Sequence, residues 1–271
     1  MQLIKHPIYF PLTKGVELIQ YVNRKNSRMK YTSVEVYELQ AEAEMVFSTE
    51  QDECCAVILC GQASLFVDSE TSFLHLGTRE SVFEKKPTDS VYLGIESQCK
   101  VVADTDCRIL LAKSPTTVKK PTKLLSHQDV AIEFRGKNQN QRRVHTMLSD
   151  TSEISDRLLV VEVYTDSGHF SSYPPHKHDE DNLPKESMLE ELYYHEIFPA
   201  QGFVFQRVYT DDRLLDTSLS CHNKDIVLVP KGYHPVGVPD GYESYYLNIM
   251  AGPQKVWKFT DDPDHQWTKN R

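Results

Sequence analysis

The residues of this chain whose types and spacing best suit chemistry are three histidines and a glutamate in its second half. His176 and His178 stand in the run Tyr-Pro-Pro-His-Lys-His-Asp, and His234 ends the run Pro-Lys-Gly-Tyr-His. Glu191 comes between them, at the start of the strand-like run Glu-Leu-Tyr-Tyr-His-Glu-Ile. Imidazole nitrogens and a carboxylate suit a divalent first-row metal ion, and such a set leaves a coordination position for water or substrate. The sequence therefore predicts a catalytic metal site.

Short β-strands must position these ligands. Side chains alternate between the two faces of a strand, so the two histidines of a His-x-His pair share a face, as do Glu191 and Tyr193. The apolar run Ile226–Val229 precedes the turn that carries His234, and Asn223–Lys224 predicts a hairpin turn before that run. A His-x-His pair by itself is common on exposed strands, but its combination with the glutamate and the Pro-x-Gly turn favours a metal site.

The rest of the chain predicts an all-β protein. Short strand-like runs separated by turn residues recur throughout, and helical periodicity is scarce. Residues 113–123 are rich in Pro, Thr and Lys and separate two halves of similar pattern. We therefore predict two tandem β-barrels, residues 1–117 and 118–271. The first half contains only His6 and His75, so the metal site is expected in the second barrel alone.

Composition narrows the function. The formal net charge of −9 argues against a nucleic-acid partner, which would require clustered Lys and Arg. The chain shows no apolar run long enough for a membrane span and no signal-peptide pattern at its start, so a cytoplasmic location without a membrane partner is expected. Its six cysteines lack paired metal spacing and are expected to be reduced. Neither a Gly-x-Gly-x-x-Gly nor a Walker-type loop is present to bind a nucleotide.

The order His-x-His, Glu, Pro-x-Gly and His resembles the two motifs of cupins, which are small antiparallel β-barrels. Longer stretches are similar to the 5-deoxyglucuronate isomerases of myo-inositol degradation, and the similarity covers most of the chain. Those stretches are Ser171–Asp179, Glu190–Tyr194, Gln206–Thr210, Val229–Val236, Tyr245–Gly252 and, in the first half, Leu76–Glu84.

This resemblance implies a fold and a reaction. The fold would be two cupin-type jelly-roll barrels, the first without a metal site. The reaction would interconvert 5-deoxy-D-glucuronate and 5-dehydro-2-deoxy-D-gluconate, an aldose–ketose isomerisation of a small deoxyuronic acid. One divalent metal ion per chain is implied, with zinc preferred and manganese, iron or nickel as alternatives. A homo-oligomer is also expected.

Moving a hydrogen between adjacent carbons requires a group that transfers the proton and a cation that stabilises the enediolate. The candidates for proton transfer are Glu190, Tyr193 and Tyr246, with a metal-bound hydroxide as an alternative. A tyrosine at such a position is more often a packing or hydrogen-bonding residue than a proton-transfer group.

The carboxylate of a uronic acid requires a cationic partner in the pocket. Arg207, in a strand-like run beside the predicted site, is the first candidate, and Arg143 is the second. Lys177 stands between two of the metal ligands, but strand alternation places it on the opposite face and disfavours it.

Three other functions share parts of this pattern. The first is the 4-deoxy-5-hexosulose uronate isomerase of pectin breakdown, a related ketol-isomerase. The second is a cupin dioxygenase, in which ferrous iron on similar ligands activates oxygen. The third is a non-catalytic sugar-binding cupin, which the complete four-ligand set disfavours.

Overall fold

The computed structural model describes residues 2–68 and 71–270, and antiparallel strands form nearly all of their regular structure. The strands before residue 130 are β1 (Ile4–Lys5), β2 (Phe10–Thr13), β3 (Val16–Val22), β4 (Ser33–Leu39), β5 (Glu44–Ser48), β6 (Asp52–Cys60), β7 (Ala63–Val67), β8 (Thr71–Leu76), β9 (Ser90–Leu93), β10 (Gln98–Ala103), β11 (Cys107–Pro115) and β12 (Lys123–Leu125). The later strands are β13 (Ala131–Arg135), β14 (Arg142–Leu148), β15 (Leu159–Thr165), β16 (Phe170–Ser171), β17 (His176–Lys177), β18 (Asp179–Asn182), β19 (Glu186–Met188), β20 (Glu190–Phe198), β21 (Phe203–Tyr209), β22 (Asp216–His222), β23 (Ile226–Val229), β24 (Val236–Gly237), β25 (Glu243–Ala251) and β26 (Thr260–Asp261).

Helical structure is limited to short 3₁₀ turns among the described residues. They span Val82–Glu84, Asn138–Asn140 and Gln266–Asn270. The described residues include no helix with the length and apolar character that crossing a membrane requires.

The chain divides into two compact units that exchange short segments. The amino-terminal unit comprises Pro7–Val130 and Met147–Val160, and the carboxy-terminal unit comprises Met1–His6, Ala131–Thr146 and Val161–Arg271. The predicted boundary between residues 117 and 118 stays a prediction about domains, because compactness alone does not define a domain.

In the amino-terminal unit, a seven-stranded sheet (β12-β9-β6-β11-β4-β3-β2) and a four-stranded sheet (β5-β10-β7-β8) enclose an apolar core. Cys54, Ala56 and Ile58 lie two residues apart on β6 and all face this core, as strand alternation requires. Leu65 and Val101 contribute from the four-stranded sheet. The interior of this barrel is therefore filled with side chains that cannot ligate a metal ion, apart from thiols that burial keeps protonated.

The carboxy-terminal unit repeats this arrangement with different side chains. Its seven-stranded sheet runs β1-β23-β20-β25-β15-β14-β13, and its four-stranded sheet runs β16-β24-β21-β22. Strand β20 holds the third place in its sheet, as β6 does in the other unit, but carries Glu191, Tyr193 and His195 where β6 carries apolar residues. All three are buried. The prediction of an all-β protein with two jelly-roll barrels is confirmed.

One local prediction needs correction. Asn223 and Lys224 do form a turn, with Lys224 in the left-handed region at φ 70°, but β22 and β23 join different sheets and do not form a hairpin. The acidic segment after His178 forms the ribbon β18-β19, in which Asp179 is partly buried and accepts a hydrogen bond from the backbone N–H of Gly232 at 2.7 Å.

Candidate metal centre

Strands β17 and β20, the residue that follows β17 and one turn place the predicted ligands in the carboxy-terminal barrel. Strand β17, which pairs with β26, carries His176 and leads into His178. The turn after β23 carries His234. In that turn Gly232 has φ +93°, and a Cβ there would lie 2.4 Å from the carbonyl oxygen of Tyr209. Only glycine fits this close approach, so the Pro-x-Gly spacing fixes the position of His234.

The four side chains converge. Ligating nitrogens of His176, His178 and His234 all lie within 4.8 Å of one another. Oε2 of Glu191 lies 2.9 Å from Nε2 of His178 and 3.0 Å from Nε2 of His234. Among the described residues these histidines are the one group of His, Cys, Asp and Glu side chains with geometry that could hold a metal ion.

Backbone carbonyls determine which nitrogen of two histidines is available. Nδ1 of His178 donates to the carbonyl of Leu189 at 3.0 Å, and Nδ1 of His234 donates to the carbonyl of Gly232 at 2.8 Å. In the neutral rings the lone pair is then on Nε2, which points at the Glu191 carboxylate. Two lone pairs and an anion facing one another require a cation among them.

The electrostatics of the cluster lead to the same conclusion. Burial and the neighbouring His234 and His178 lower the pKa of His176 well below its usual range. Although burial opposes ionisation of Glu191, His234 and His178 hold its pKa well below the usual range. Burial alone would lower the pKa of His178, but Glu191 raises it overall because the carboxylate favours a positive charge beside it. Nε2 of His234 is buried and has no hydrogen-bond partner among the described residues. These side chains therefore fit a divalent ion.

Tyrosines and an amide complete the interior face. Nδ2 of Asn248, on β25, donates to Oε1 of Glu191 and fixes that carboxylate. The hydroxyl groups of Tyr193 and Ser172 lie 3.0 Å apart, and the rings of Tyr193 and Tyr246 have centroids 4.8 Å apart. Burial, with Glu191 and Tyr246 adding to it, raises the pKa of Tyr193 well above its usual range, and burial also raises that of Tyr246. Both phenols are therefore neutral hydrogen-bond donors at physiological pH.

Comparison with known proteins identifies the family. A profile of the KduI/IolB family matches residues 8–268. The 5-deoxy-glucuronate isomerase of Bacillus licheniformis is 52% identical over 269 residues, which cover 99% of both chains, and that of Listeria monocytogenes is 51% identical over 100% of this chain and 99% of the relative. The chain belongs to the KduI/IolB family.

Solved structures extend the comparison. The crystal structure of an IolB-like protein from Salmonella typhimurium superimposes with a TM-score of 0.94 at 41% identity and covers 99% of each chain. The oxalate decarboxylase of Lactobacillus farciminis has a TM-score of 0.69 at 11% identity, covering 96% of this chain and 88% of its own. The second likeness is one of fold alone. The oxalate decarboxylase therefore gives no information about the site residues, and their roles are argued from this chain alone.

Several predicted residues do not join the cluster. Glu190 lies next to Glu191 on β20, whose unbroken pairing with β25 places their side chains on opposite faces. Lys177 is buried on the far face of β17 and pairs with Asp179, Glu180 and Asp211 at 3.2, 2.8 and 3.0 Å. Neither Glu190 nor Lys177 therefore lies in the cluster, and both predictions are corrected.

The two predicted arginines also lie outside it. Arg207 is partly exposed and forms a two-point ion pair with Asp216, with nitrogen to oxygen distances of 2.8 and 2.7 Å. Its neighbour Gln206 faces the barrel interior instead and contacts His195 at 3.0 Å. Nε of Arg143 donates to Nε2 of His145 at 3.0 Å, on the sheet face away from the cluster. Both predictions are corrected for the same reason: each arginine lies on the side of its strand that faces away from the cluster.

Sequence reasoning missed three residues of the interior face: Arg142, Ser172 and Asn248. Asn248 could have been noticed, because it is the one amide in the buried apolar run Tyr-Tyr-Leu-Asn-Ile-Met of β25. Arg142 could not be distinguished from Arg143 without the position of β14 in the sheet. Ser172 is in an irregular turn and gives no pattern.

Proposed function

We propose that this chain is a metal-dependent 5-deoxyglucuronate isomerase that interconverts 5-deoxy-D-glucuronate and 5-dehydro-2-deoxy-D-gluconate in myo-inositol degradation. One observation carries the proposal: a buried three-histidine, one-carboxylate cluster sits in a chain about half identical, over its whole length, to enzymes named for this reaction. The chain is thus an intramolecular isomerase acting on a small sugar acid.

The proposed metal ligands are His176, His178, Glu191 and His234. A divalent ion bound there would polarise the substrate carbonyl and stabilise the negative charge that develops on its oxygen. Zinc is the preferred ion because it suits nitrogen ligands with one carboxylate, and manganese, iron and nickel are the alternatives. Asn248 holds Glu191 in place through its second carboxylate oxygen.

The chain supplies proton donors beside this cluster. Tyr193 and Tyr246 are buried, and their raised pKa values keep them protonated, so each can donate a hydrogen bond or a proton to a substrate oxygen as charge develops there. Ser172 can receive or pass on the Tyr193 proton because their hydroxyl oxygens are 3.0 Å apart. We therefore propose that the tyrosines stabilise and protonate substrate oxygens, and not that either removes the proton from carbon.

The proposed setting of the enzyme follows from its family. The partner is a small deoxyuronic acid, and neither nucleic acid nor membrane is part of the activity. We propose a cytoplasmic location, as expected for an enzyme of sugar-acid breakdown, and a homo-oligomeric state.

A direct assay tests the proposal. Purified protein, loaded with one metal at a time, is incubated with 5-deoxyglucuronate, and the ketose product is followed by NMR without added oxygen or nicotinamide. A parallel reaction uses 4-deoxy-5-hexosulose uronate, the substrate of the rival isomerase. We expect turnover of the first compound to exceed that of the second. Preference for the second compound, or consumption of oxygen, would replace the proposed function with the corresponding rival.

A further inference from the structure

Strand β14 directs Arg142 to the metal side of its sheet. Three residues along, His145 on the opposite face lies 3.3 Å from Glu162, whose other carboxylate oxygen accepts from the Tyr245 hydroxyl at 2.8 Å. Arg143 belongs to that same far face. Strand alternation therefore places Arg142 on the face shared with Tyr246, which is next to Tyr245 on β25.

The guanidinium group of Arg142 is hydrogen-bonded to the backbone. Its Nη1 donates to the backbone carbonyl of Asn140 at 3.1 Å. No carboxylate in the part of the chain that the structure describes forms an ion pair with it. Its positive charge partly offsets the burial that raises the pKa of Tyr246. A partly buried cation without a counter-ion is costly unless a ligand supplies one.

Arg142 also lines a cavity of about 570 Å³ within the carboxy-terminal unit. Tyr173 and Pro174, which lead directly into His176, line it as well, together with Phe170. The other cations of its wall are less suited to hold an anion: Lys137 is exposed, and Lys269 already pairs with Asp261. The cavity is large enough for a six-carbon sugar acid, and Arg142 shares its wall with residues that precede His176 in the chain.

We propose that Arg142 binds the substrate carboxylate and so makes the site specific for sugar acids over neutral sugars. This inference rests on the proposed function and assigns the acid end of its substrate. A planar guanidinium can donate two parallel hydrogen bonds to a carboxylate, and in a partly desolvated cavity such a pair discriminates strongly against an uncharged group. The aldehyde end of the substrate is then left to the four-residue cluster and to Tyr193.

A binding experiment tests Arg142 independently of turnover. D-Glucuronate and its uncharged amide, D-glucuronamide, are titrated into metal-loaded protein by calorimetry. The proteins are wild type, Arg142→Gln, Arg142→Lys and the control Arg207→Gln, which alters an exposed ion pair. We expect wild type and Arg207→Gln to bind the acid roughly 30-fold or more tightly than the amide, as for a desolvated charge pair. Arg142→Gln should bind the two within about threefold of each other, with its metal content unchanged.

The kinetic counterpart uses 5-deoxyglucuronate. Arg142→Gln should raise KM by roughly 30-fold while kcat changes much less, because the carboxylate is remote from the reacting carbons. Arg142→Lys keeps the charge but loses the planar pair of hydrogen-bond donors, so its ratio of acid affinity to amide affinity should fall by about tenfold. If the Arg142→Gln variant does not fold, Arg142→Lys serves as the test. An acid preference as large as that of wild type in either Arg142 variant, or no acid preference in wild type, overturns the inference. Wild type that prefers the acid through Arg142 but does not isomerise 5-deoxyglucuronate would overturn the proposed function alone.

Discussion

Oε2 of Glu191 lies 3.0 Å from Nε2 of His234, and no hydrogen bond joins them. The ring cannot donate from Nε2 when neutral, because its proton is on Nδ1 and bound to the carbonyl of Gly232. A lone pair therefore faces a carboxylate inside the protein. Two ligands of one cation lie in this arrangement. The contact therefore supports the metal assignment independently of the sequence motif.

The first prediction concerns metal content. Purified wild-type protein should carry about one equivalent of a divalent metal ion, and His178→Ala or His234→Ala should remove most of it, because each removes a ligand. Elemental analysis measures the content. His75→Ala is the matched control, since His75 is an exposed histidine of the other unit, and it should keep the metal. Full occupancy in His178→Ala would exclude this residue as a ligand.

The second prediction concerns Asn248. Its amide holds Glu191 through a hydrogen bond, so Asn248→Ala should weaken metal affinity by about 10- to 100-fold with the fold intact. A competition titration against a chromophoric chelator measures the affinity, and circular dichroism checks the fold. An unchanged affinity would show that Glu191 is oriented by the barrel without this amide.

The third prediction separates two adjacent tyrosines. Tyr193→Phe removes a hydroxyl from the interior face and should lower kcat by about 100-fold, because a proton donor to the substrate oxygen is lost. Metal content should not change. Tyr194→Phe is the control from the opposite face, where Tyr194 donates to Glu196 at 3.1 Å, and it should leave kcat near that of wild type. Equal losses in the two variants would indicate a structural effect and remove Tyr193 from the mechanism.

The fourth prediction concerns the cysteines. Burial raises the pKa of Cys55, Cys99, Cys107 and Cys221 to about 12, and that of Cys54 well above its usual value. Thiols react as thiolates, so at pH 8 a disulfide reagent should label Cys60 alone in the folded protein. All six should react after denaturation. Rapid labelling of a second cysteine in the native state would contradict the burial described here.

The fold and the ligand cluster could be predicted from the sequence because local patterns determine them. His176, His178 and Glu191 share an interior through strand alternation, and Gly232 marks the turn that carries His234. Each of these signals is contained within a few residues of chain.

The remaining site residues depend on long-range arrangement. Arg142 and Arg143 are equivalent in local sequence, and only the position of β14 in the sheet decides which one reaches the cavity. Arg207 is on the face away from the interior because Gln206 occupies the inner one. Glu190 could have been rejected from sequence alone, since adjacent strand residues point to opposite faces and Glu191 was already assigned inward.

The most direct test of the account compares metal-loaded and metal-free protein in the isomerisation of 5-deoxyglucuronate, followed by NMR in deuterated water. We expect ketose formation by the loaded protein, loss of activity on chelation and recovery when a divalent metal is returned. Deuterium should enter at the carbon that receives the hydrogen, because proton transfer exchanges with solvent. Turnover that survives complete removal of the metal, or no turnover by folded, fully loaded protein, would contradict it.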